Sequence, residues 1–178
     1  MAKESLQIRE AGRFDLESIR LLLLDVFANE GKAVSQLALS LMQDESAQPV
    51  LALVAESGGQ ILGNIVFSAV KIEGAAQVSG CILAPLAVAK EHQRLGMGRK
   101  LMESGLDVLR KQGIDAVFVL GDPGYYSRYG FCAKHGVHPP YELSHPEAWM
   151  ALSLSGIRLE SVRGRMVCAS ALLSPEHW

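Results

Sequence analysis

Residues 80–121 constrain the fold of this chain more than any other segment. An apolar run at residues 81–88 precedes an amphipathic helical stretch that ends near Gly113, and a second apolar run follows at residues 116–120. Two short apolar runs joined through such a helix are the pattern of a βαβ unit. Because the two strands of this unit run parallel, they need the helical crossover between them. The chain therefore predicts a sheet that contains a parallel pair.

The segment before this unit has the pattern of a strand, two helices and a hairpin. Apolar residues recur at helical spacing in two stretches, and Asp15 stands where it can cap the first of them. Ser57, Gly58 and Gly59 separate two apolar runs, and glycines supply the positive φ angles of a tight hairpin. The predicted elements are a strand at residues 6–10, helices at residues 16–27 and 34–42, and antiparallel strands at residues 49–56 and 60–72.

The segment after the unit is rich in Gly, Pro and Tyr as far as Tyr141. Later apolar runs at residues 148–154 and 165–172 predict two closing strands. The chain has 178 residues, of which 49% are hydrophobic, and this is enough apolar material for a sizeable core. Neither a repeat nor a linker divides the sequence. We therefore expect a single domain over residues 1–178.

The charge balance and the N-terminal residues exclude some classes of partner. Lys and Arg total 17 against 19 Asp and Glu, so the formal net charge of −2 gives no reason to expect a polyanion such as nucleic acid. Residues 1–5 are polar and lack the apolar core of a signal peptide. Nowhere does an apolar run approach the roughly 20 residues that a bilayer requires. The sequence predicts a cytoplasmic protein with neither a nucleic-acid nor a membrane partner.

The cysteines and histidines do not have the spacing of a metal site. Cys81, Cys132 and Cys168 are widely spaced and odd in number, which fits neither a disulfide framework nor paired metal ligands. His135 and His138 form a loose pair, but no Cys or carboxylate stands beside them at metal-ligand spacing. We expect buried free thiols and no bound metal.

The glycine turn Gln93-Arg94-Leu95-Gly96-Met97-Gly98 lies where the helix of the βαβ unit begins. The first amides of a helix have no partner within it and carry the positive end of its dipole, so they bind phosphate oxygens. Gly96 and Gly98 let a ligand approach this backbone closely, and Arg94 and Arg99 add positive charge beside it. The turn therefore predicts a phosphate site.

Two other interpretations of this turn have to be weighed. A plain turn without a ligand also accounts for a pair of glycines at a helix start. A dinucleotide-binding unit is the second, since Gly96 and Gly98 could begin a G-x-G-x-x-G motif and Asp122 follows at the distance of a ribose-binding acid. That unit fits poorly, because Leu101 stands where the third glycine is needed and an antiparallel hairpin precedes the segment.

Two motifs resemble the GNAT superfamily of N-acetyltransferases. The first is Leu86-Ala87-Val88 followed by Gln93-Arg94-x-Gly96-x-Gly98, and the second is Tyr125-Tyr126-x-x-x-Gly130-Phe131. Both occur in the family's order, and the resemblance covers residues 6–154. It does not explain residues 155–178, which we take as a closing strand and a C-terminal extension. Residues 121–124 depart from the family, because many members carry an Asn and an Ala there, and no role is transferred from that Asn.

The resemblance implies an α/β (α+β) fold with a mixed twisted sheet flanked by helices, and an acyltransferase activity. Acetyl-CoA would donate an acetyl group to a primary amine of a small molecule or a protein by direct attack. A non-catalytic acyl-CoA-binding module is the alternative, and it would need the glycine turn but not Tyr126. The sequence leaves a homodimer open. The residues implied to bind acetyl-CoA are Leu86, Ala87, Val88, Gln93, Arg94, Leu95, Gly96, Met97, Gly98 and Arg99.

Pro85 and Tyr126 are the candidates for the chemistry itself. Proline cannot donate to a strand ladder, so Pro85 predicts either a bulge or a strand edge. The resemblance implies a bulged strand that splays from its neighbour, where an amide could stabilise the developing oxyanion. Acyl transfer also needs a proton for the departing thiolate. The motif match assigns that role to Tyr126, a phenol that is protonated at neutral pH.

The sequence does not identify a general base. Glu30 lies where the family often lines the acceptor site, and Asp122 directly follows the second strand of the unit, so both are candidate substrate-binding residues. Each could instead be a solvated cap or turn residue, and water could then accept the proton of the amine. Cys132 offers a covalent route in principle, but no His is placed by motif to activate it. We therefore expect direct transfer to an amine whose identity the sequence does not reveal.

Overall fold

The computed structural model describes residues 5–178. The prediction that the polar N-terminus lacks the core of a signal peptide concerns mainly residues 1–4, which lie outside the described residues. The helices are α1 (Leu16–Val26), α2 (Gly31–Gln43), α3 (Met97–Lys111) and α4 (Pro123–Tyr126). The strands are β1 (Gln7–Glu10), β2 (Val50–Ser57), β3 (Gln60–Ile72), β4 (Gly80–Val88), β5 (Ala116–Leu120), β6 (Gly136–His138), β7 (Trp149–Ser153) and β8 (Arg163–Val167).

The strands form a mixed sheet in the order β1-β2-β3-β4-β5-β7. Neighbours along this order are antiparallel, except that β4 and β5 are parallel, as the βαβ pattern predicts. Strand β8 extends the layer by pairing antiparallel with the end of β3 and parallel with β6. The β4–β5 pair is therefore flanked by antiparallel strands, which is not the doubly wound sheet of a dinucleotide-binding domain.

Helices cover both faces of this sheet. On one face, Leu101 and Leu106 of α3 are buried with Phe67 of β3 and Val117 of β5. On the other face, the apolar stripes of α1 and α2 are buried against the strands. Burial of one large apolar side chain stabilises the fold by about 1.5–3 kcal/mol. The expected mixed sheet flanked by helices is confirmed.

The predicted helix cap at Asp15 is wrong. Its carboxylate does not accept a hydrogen bond from the first turn of α1. It accepts two from the Arg9 guanidinium, at 2.7 and 2.9 Å, and one from the Gly12 amide at 2.7 Å. Arg9 also pairs with Glu56 at 2.6 Å. Arg9 holds the pKa of Asp15 below its ordinary value, because it binds the ionised carboxylate. A charged partner outside the helix has replaced the local cap.

The predicted closing strand at residues 165–172 is wrong in its second half. Strand β8 ends at Val167, and Ser170–Leu172 form a 3₁₀ turn. Side chains beside α2 satisfy this backbone, since Ser46 Oγ accepts from the Ser170 amide at 3.0 Å and Asp44 accepts from the Ala171 amide at 3.3 Å. The apolar run reflects burial rather than strand pairing. The short β6 was not predicted at all.

The expectation of buried thiols holds for Cys81 and Cys168 but is wrong for Cys132. Cys132 is exposed, although its backbone forms a bridge with Ala151 of β7. Within residues 5–178, no group of three or more His, Cys, Asp or Glu side chains could hold a metal ion. The same residues include no helix that is long and apolar enough to cross a bilayer.

Close packing of α3 on the sheet can be tested at Gly105. A methyl group there would overlap the ring of Phe67, which is fully buried. Alanine favours a helix over glycine by about 1 kcal/mol, but overpacking a filled core costs about 1–3 kcal/mol. We therefore expect Gly105→Ala to lower the free energy of unfolding in urea by about 1 kcal/mol.

Ser104→Ala, one position earlier on the same helix, is the matched control. We expect it to change the free energy of unfolding by less than about 0.5 kcal/mol. A gain in stability for Gly105→Ala would contradict the packing described.

Candidate active site

A cavity of about 900 Å³ lies where β4, the start of α3 and the tyrosine segment after β5 meet. Its walls therefore come from segments far apart in the chain. The residues that line it are Val26, Phe27, Leu86, Ala87, Val88, Gln93, Arg94, Gly96, Gly98, Arg99, Glu103, Asp122, Tyr125, Tyr126, Arg128 and Tyr129.

One wall of the cavity is the separated end of β4. In the described chain, β4 pairs with β5 through residues 80–82 and 116–118 and not beyond. Between two successive pairs with β3, β4 advances by three residues while β3 advances by two, so β4 is bulged at Ala84 and Pro85. Of the two possibilities for Pro85, the structure has the bulge. Residues 86–88 are left without a strand partner on the β5 side.

The glycine turn joins this strand end to α3. The Gln93 side chain donates from Nε2 to the Val88 carbonyl at 3.0 Å, which fixes the turn against β4. Arg94 and Gly96 have φ angles of 62° and 85°, in the left-handed region, and α3 begins at Met97. The left-handed region is uncommon for Arg and marks a constrained turn. The amides of the first helical turn thus lie at the cavity with no partner inside the helix.

Three arginines bring positive charge to the cavity, and they differ in how free that charge is. Arg99 is paired with Glu103 at 2.7 Å, so its charge is partly neutralised. Arg94 has no carboxylate partner among residues 5–178. Arg128, which the sequence analysis did not single out, lies 5.0 Å from the centre of the Tyr125 ring. Arg94 and Arg128 are therefore the cations best placed to meet an anionic ligand.

Tyr126 is fixed beside the end of β5. Its ring packs directly on Gly121, where a Cβ would overlap it, and it meets the Phe131 ring edge-on at 5.7 Å. Burial raises the pKa of Tyr126 to about 12, and the neighbouring Tyr129 and Asp122 add to this increase. Tyr126 is therefore a neutral hydrogen-bond donor throughout the neutral pH range.

Tyr125 is the functional candidate that sequence reasoning missed. Its hydroxyl lies against the first turn of α3, 2.8 Å from the point that a Cβ on Gly98 would occupy. The Tyr129 hydroxyl lies 3.4 Å from the same oxygen. Burial raises the pKa of Tyr125 above its ordinary value. The spacing of four residues between the two tyrosines was a usable signal, because it places both side chains on one side of a helical segment.

The structure brings most of the predicted site residues into this cavity, but not all of them. Leu95 is exposed and Met97 is buried in the core under α3. Glu30 is exposed on a 3₁₀ turn outside the cavity, whose wall at that end is formed by α1 and the residue after it. Asp122 lines the cavity, and its carboxylate also accepts a hydrogen bond from the Gly124 amide at 2.9 Å. Cys132 does not line it.

Known proteins resemble this chain in both sequence and fold. A family model described as an acetyltransferase (GNAT) domain matches residues 48–133. The uncharacterized N-acetyltransferase YjhQ of Escherichia coli K12 is 39% identical over 141 residues, which cover 76% of this chain and 77% of YjhQ.

Two solved structures extend the comparison. YhbS, a GNAT family N-acetyltransferase from Escherichia coli in complex with CoA, has a TM-score of 0.83 and 32% identity, covering 93% of this chain and 90% of that one. A GNAT family acetyltransferase from Brucella melitensis in complex with acetyl-CoA has a TM-score of 0.75 and 28% identity, covering 95% and 99%. The similarity to both extends over most of each chain.

The protonation of Tyr126 can be measured directly. Carbon-13 NMR of tyrosine labelled at Cζ follows each phenol, and Tyr126→Phe identifies the resonance of Tyr126 by its loss. We expect a titration midpoint near 12, because burial disfavours the phenolate. The neutral donor therefore persists as the pH rises past 10. A midpoint at or below the ordinary value of about 10 would contradict the environment described.

Proposed function

Because this chain belongs to the GNAT acetyltransferase family, we propose that it transfers an acetyl group from acetyl-CoA to a primary amine of a small molecule or a protein. The observation that carries the proposal is a single cavity lined by the glycine turn, the unpaired end of β4 and Tyr126. The CoA and acetyl-CoA complexes of the solved relatives support the co-substrate. The fold expected from the resemblance is that of these relatives.

The residues of the cavity fit the parts of acetyl-CoA. The first-turn amides of α3, with Arg94 and Arg128, suit a pyrophosphate, because free amides and guanidinium groups both donate to phosphate oxygens. The unpaired backbone of residues 86–88 suits the extended pantetheine arm, which could add hydrogen bonds as a further strand would. A volume of about 900 Å³ is within the range of small-molecule sites.

Acetyl-CoA supplies a thioester whose carbonyl carbon accepts the attacking amine. The C–N bond forms as the C–S bond breaks, and the departing sulfur takes a proton. Tyr126 is the proposed general acid, since it is protonated and lines the cavity together with the unpaired end of β4. With a pKa near 12 it is a weaker acid than a thiol of pKa about 8.5. Tyr126 therefore donates a strong hydrogen bond to the departing sulfur without giving up its proton, and the proton that the sulfur finally takes is the one that the amine releases to water.

The amine reacts directly, without an acyl-enzyme. Cys132 is exposed and outside the cavity, and no histidine lines the cavity within the described residues. The carboxylates that do line it are engaged, Glu103 with Arg99 and Asp122 with the Gly124 amide. Water is therefore the proposed acceptor of the amine's proton, and the amine must enter neutral. Val26 and Phe27 give the acceptor end of the cavity an apolar wall.

The proposal is tested first by binding and then by turnover. We expect calorimetry to detect acetyl-CoA binding, and thiol release to be stimulated by one class of amine in a panel of polyamines, amino acids, amino sugars and peptides. The stimulated class identifies the acceptor. Binding without turnover on any amine would instead favour a non-catalytic acyl-CoA-binding module, and failure to bind would refute both.

Tyr126→Phe separates catalysis from binding. We expect kcat to fall tenfold or more, since general acid catalysis contributes about 10²–10⁴-fold. The dissociation constant of acetyl-CoA should change little, because the phenyl ring keeps its packing on Gly121 and Phe131.

Tyr141→Phe is the matched control for this change. Tyr141 lies outside the cavity, and its hydroxyl donates to the Leu173 carbonyl. The control should retain wild-type kcat. Near-normal turnover by Tyr126→Phe would remove Tyr126 from the mechanism.

A further inference from the structure

The Tyr125 side chain is held by neighbours on several sides. The Arg128 guanidinium lies 5.0 Å from the centre of its ring, and the Tyr126 ring meets it edge-on at 5.0 Å. The hydroxyl rests against Gly98 on α3 and lies 3.4 Å from the Tyr129 hydroxyl. Since rings packed in this way have little freedom to rotate, the position of the hydroxyl is fixed before any ligand arrives.

Gly98 is required by this hydroxyl rather than by its own backbone. It lies within α3 and outside the left-handed region that favours glycine, so its conformation is open to other residues. A Cβ there would stand 2.8 Å from the Tyr125 oxygen, while the next ring atom is 4.0 Å away. The glycine therefore makes room for the hydroxyl at the first turn of the helix.

The Tyr125 hydroxyl has one hydrogen-bonding neighbour among residues 5–178, the Tyr129 hydroxyl at 3.4 Å, which is at the long end of hydrogen-bond range. Either phenol can be the donor in such a pair, so a charged acceptor in the cavity can take the Tyr125 proton in place of this weak contact. The donor lies in the cavity beside the free amides of α3. An anionic oxygen is the acceptor that matches such a set of donors.

We propose that Tyr125 is a cofactor-binding residue whose hydroxyl donates a hydrogen bond to the pyrophosphate of acetyl-CoA at the first turn of α3. This inference rests on the proposed function. It assigns adjacent tyrosines to different parts of one ligand, with Tyr125 at the pyrophosphate and Tyr126 at the thioester. Tyr129 is then a positioning residue, because its ring packs against the Tyr125 ring at 5.6 Å and helps to hold the donor in place.

The first test is Tyr125→Phe, measured by calorimetry with CoA and, through competition, with pantetheine, which lacks the phosphates. We expect CoA to bind about tenfold more weakly, as for loss of a hydrogen bond to a charged group. Pantetheine should bind as it does to the wild type. Saturating acetyl-CoA should restore kcat to within twofold. Tyr141→Phe is again the matched control and should leave the affinity for CoA unchanged.

The second test is a double-mutant cycle with Gly98→Ala. Alone, this change should weaken CoA binding about fivefold or more, because the methyl displaces the Tyr125 hydroxyl. In the Tyr125→Phe background, the additional loss should be less than twofold, since the overlapping oxygen is gone. Strictly additive losses would show that Gly98 and Tyr125 act independently and would overturn the inference.

Other outcomes overturn it as clearly. Unchanged CoA affinity in Tyr125→Phe, or an equal loss for CoA and pantetheine, refutes the pyrophosphate contact while leaving the proposed function intact. Loss of kcat at saturating acetyl-CoA would place Tyr125 in the transfer step instead. If the wild-type protein binds no CoA, the proposed function fails together with this inference.

Discussion

The separation of β4 from β5 is the constraint on which the rest of the structure depends. The two strands are parallel and pair over residues 80–82 and 116–118, and the bulge at Ala84 and Pro85 then turns β4 away. Proline cannot donate to the ladder, so continued pairing would leave the sheet with a missing bond at this point. The gap leaves backbone N–H and C=O groups of β4 without a strand partner inside the sheet, where a neighbouring strand would normally pair with them. It also aims the start of α3 at the opening, because the turn after β4 leads directly into that helix.

The chain fills the far side of the gap with aromatic side chains rather than charged ones. The Tyr125 ring meets Tyr126 edge-on and Tyr129 at a tilt. Gly98 lets the Tyr125 hydroxyl approach the helix, and Gly121 lets the Tyr126 ring approach the strand end. Burial raises the pKa of both Tyr125 and Tyr126, so these groups remain neutral donors. Arg94, Arg99 and Arg128 bring positive charge to the cavity, and of these Arg99 is paired with Glu103. A ligand with an anionic head and a neutral reactive end matches this separation.

Local sequence patterns predicted most elements because their causes are local. The hairpin follows from Gly58 and Gly59, whose φ angles are 58° and 74°, and β5 spans the residues that its apolar run marked. Predictions failed where a distant partner intervened. Asp15 does not cap α1, because its carboxylate binds Arg9 and the Gly12 amide, and residues 170–172 form a turn because Asp44 and Ser46 satisfy their amides. The prediction that Glu30 lines the acceptor site failed for a similar reason, because the position of Glu30 depends on how the turn between α1 and α2 packs.

The sequence by itself determined the order of the elements, the proline that interrupts β4 and the glycine turn at the start of α3, whereas the structure decided that the proline forms a bulge. Each of these features has a cause that acts over a few residues. The hydrophobic period marks the elements, the proline ring removes a backbone N–H donor, and the glycines permit the turn. Only the tertiary structure decided which side chains meet in the gap. Tyr125 reaches Gly98 across 27 positions of the chain, and Arg128 joins the cavity through the face of that ring. These contacts depend on the packing of α3 on the sheet that contains β5. No local sequence pattern encodes a contact between residues so far apart in the chain.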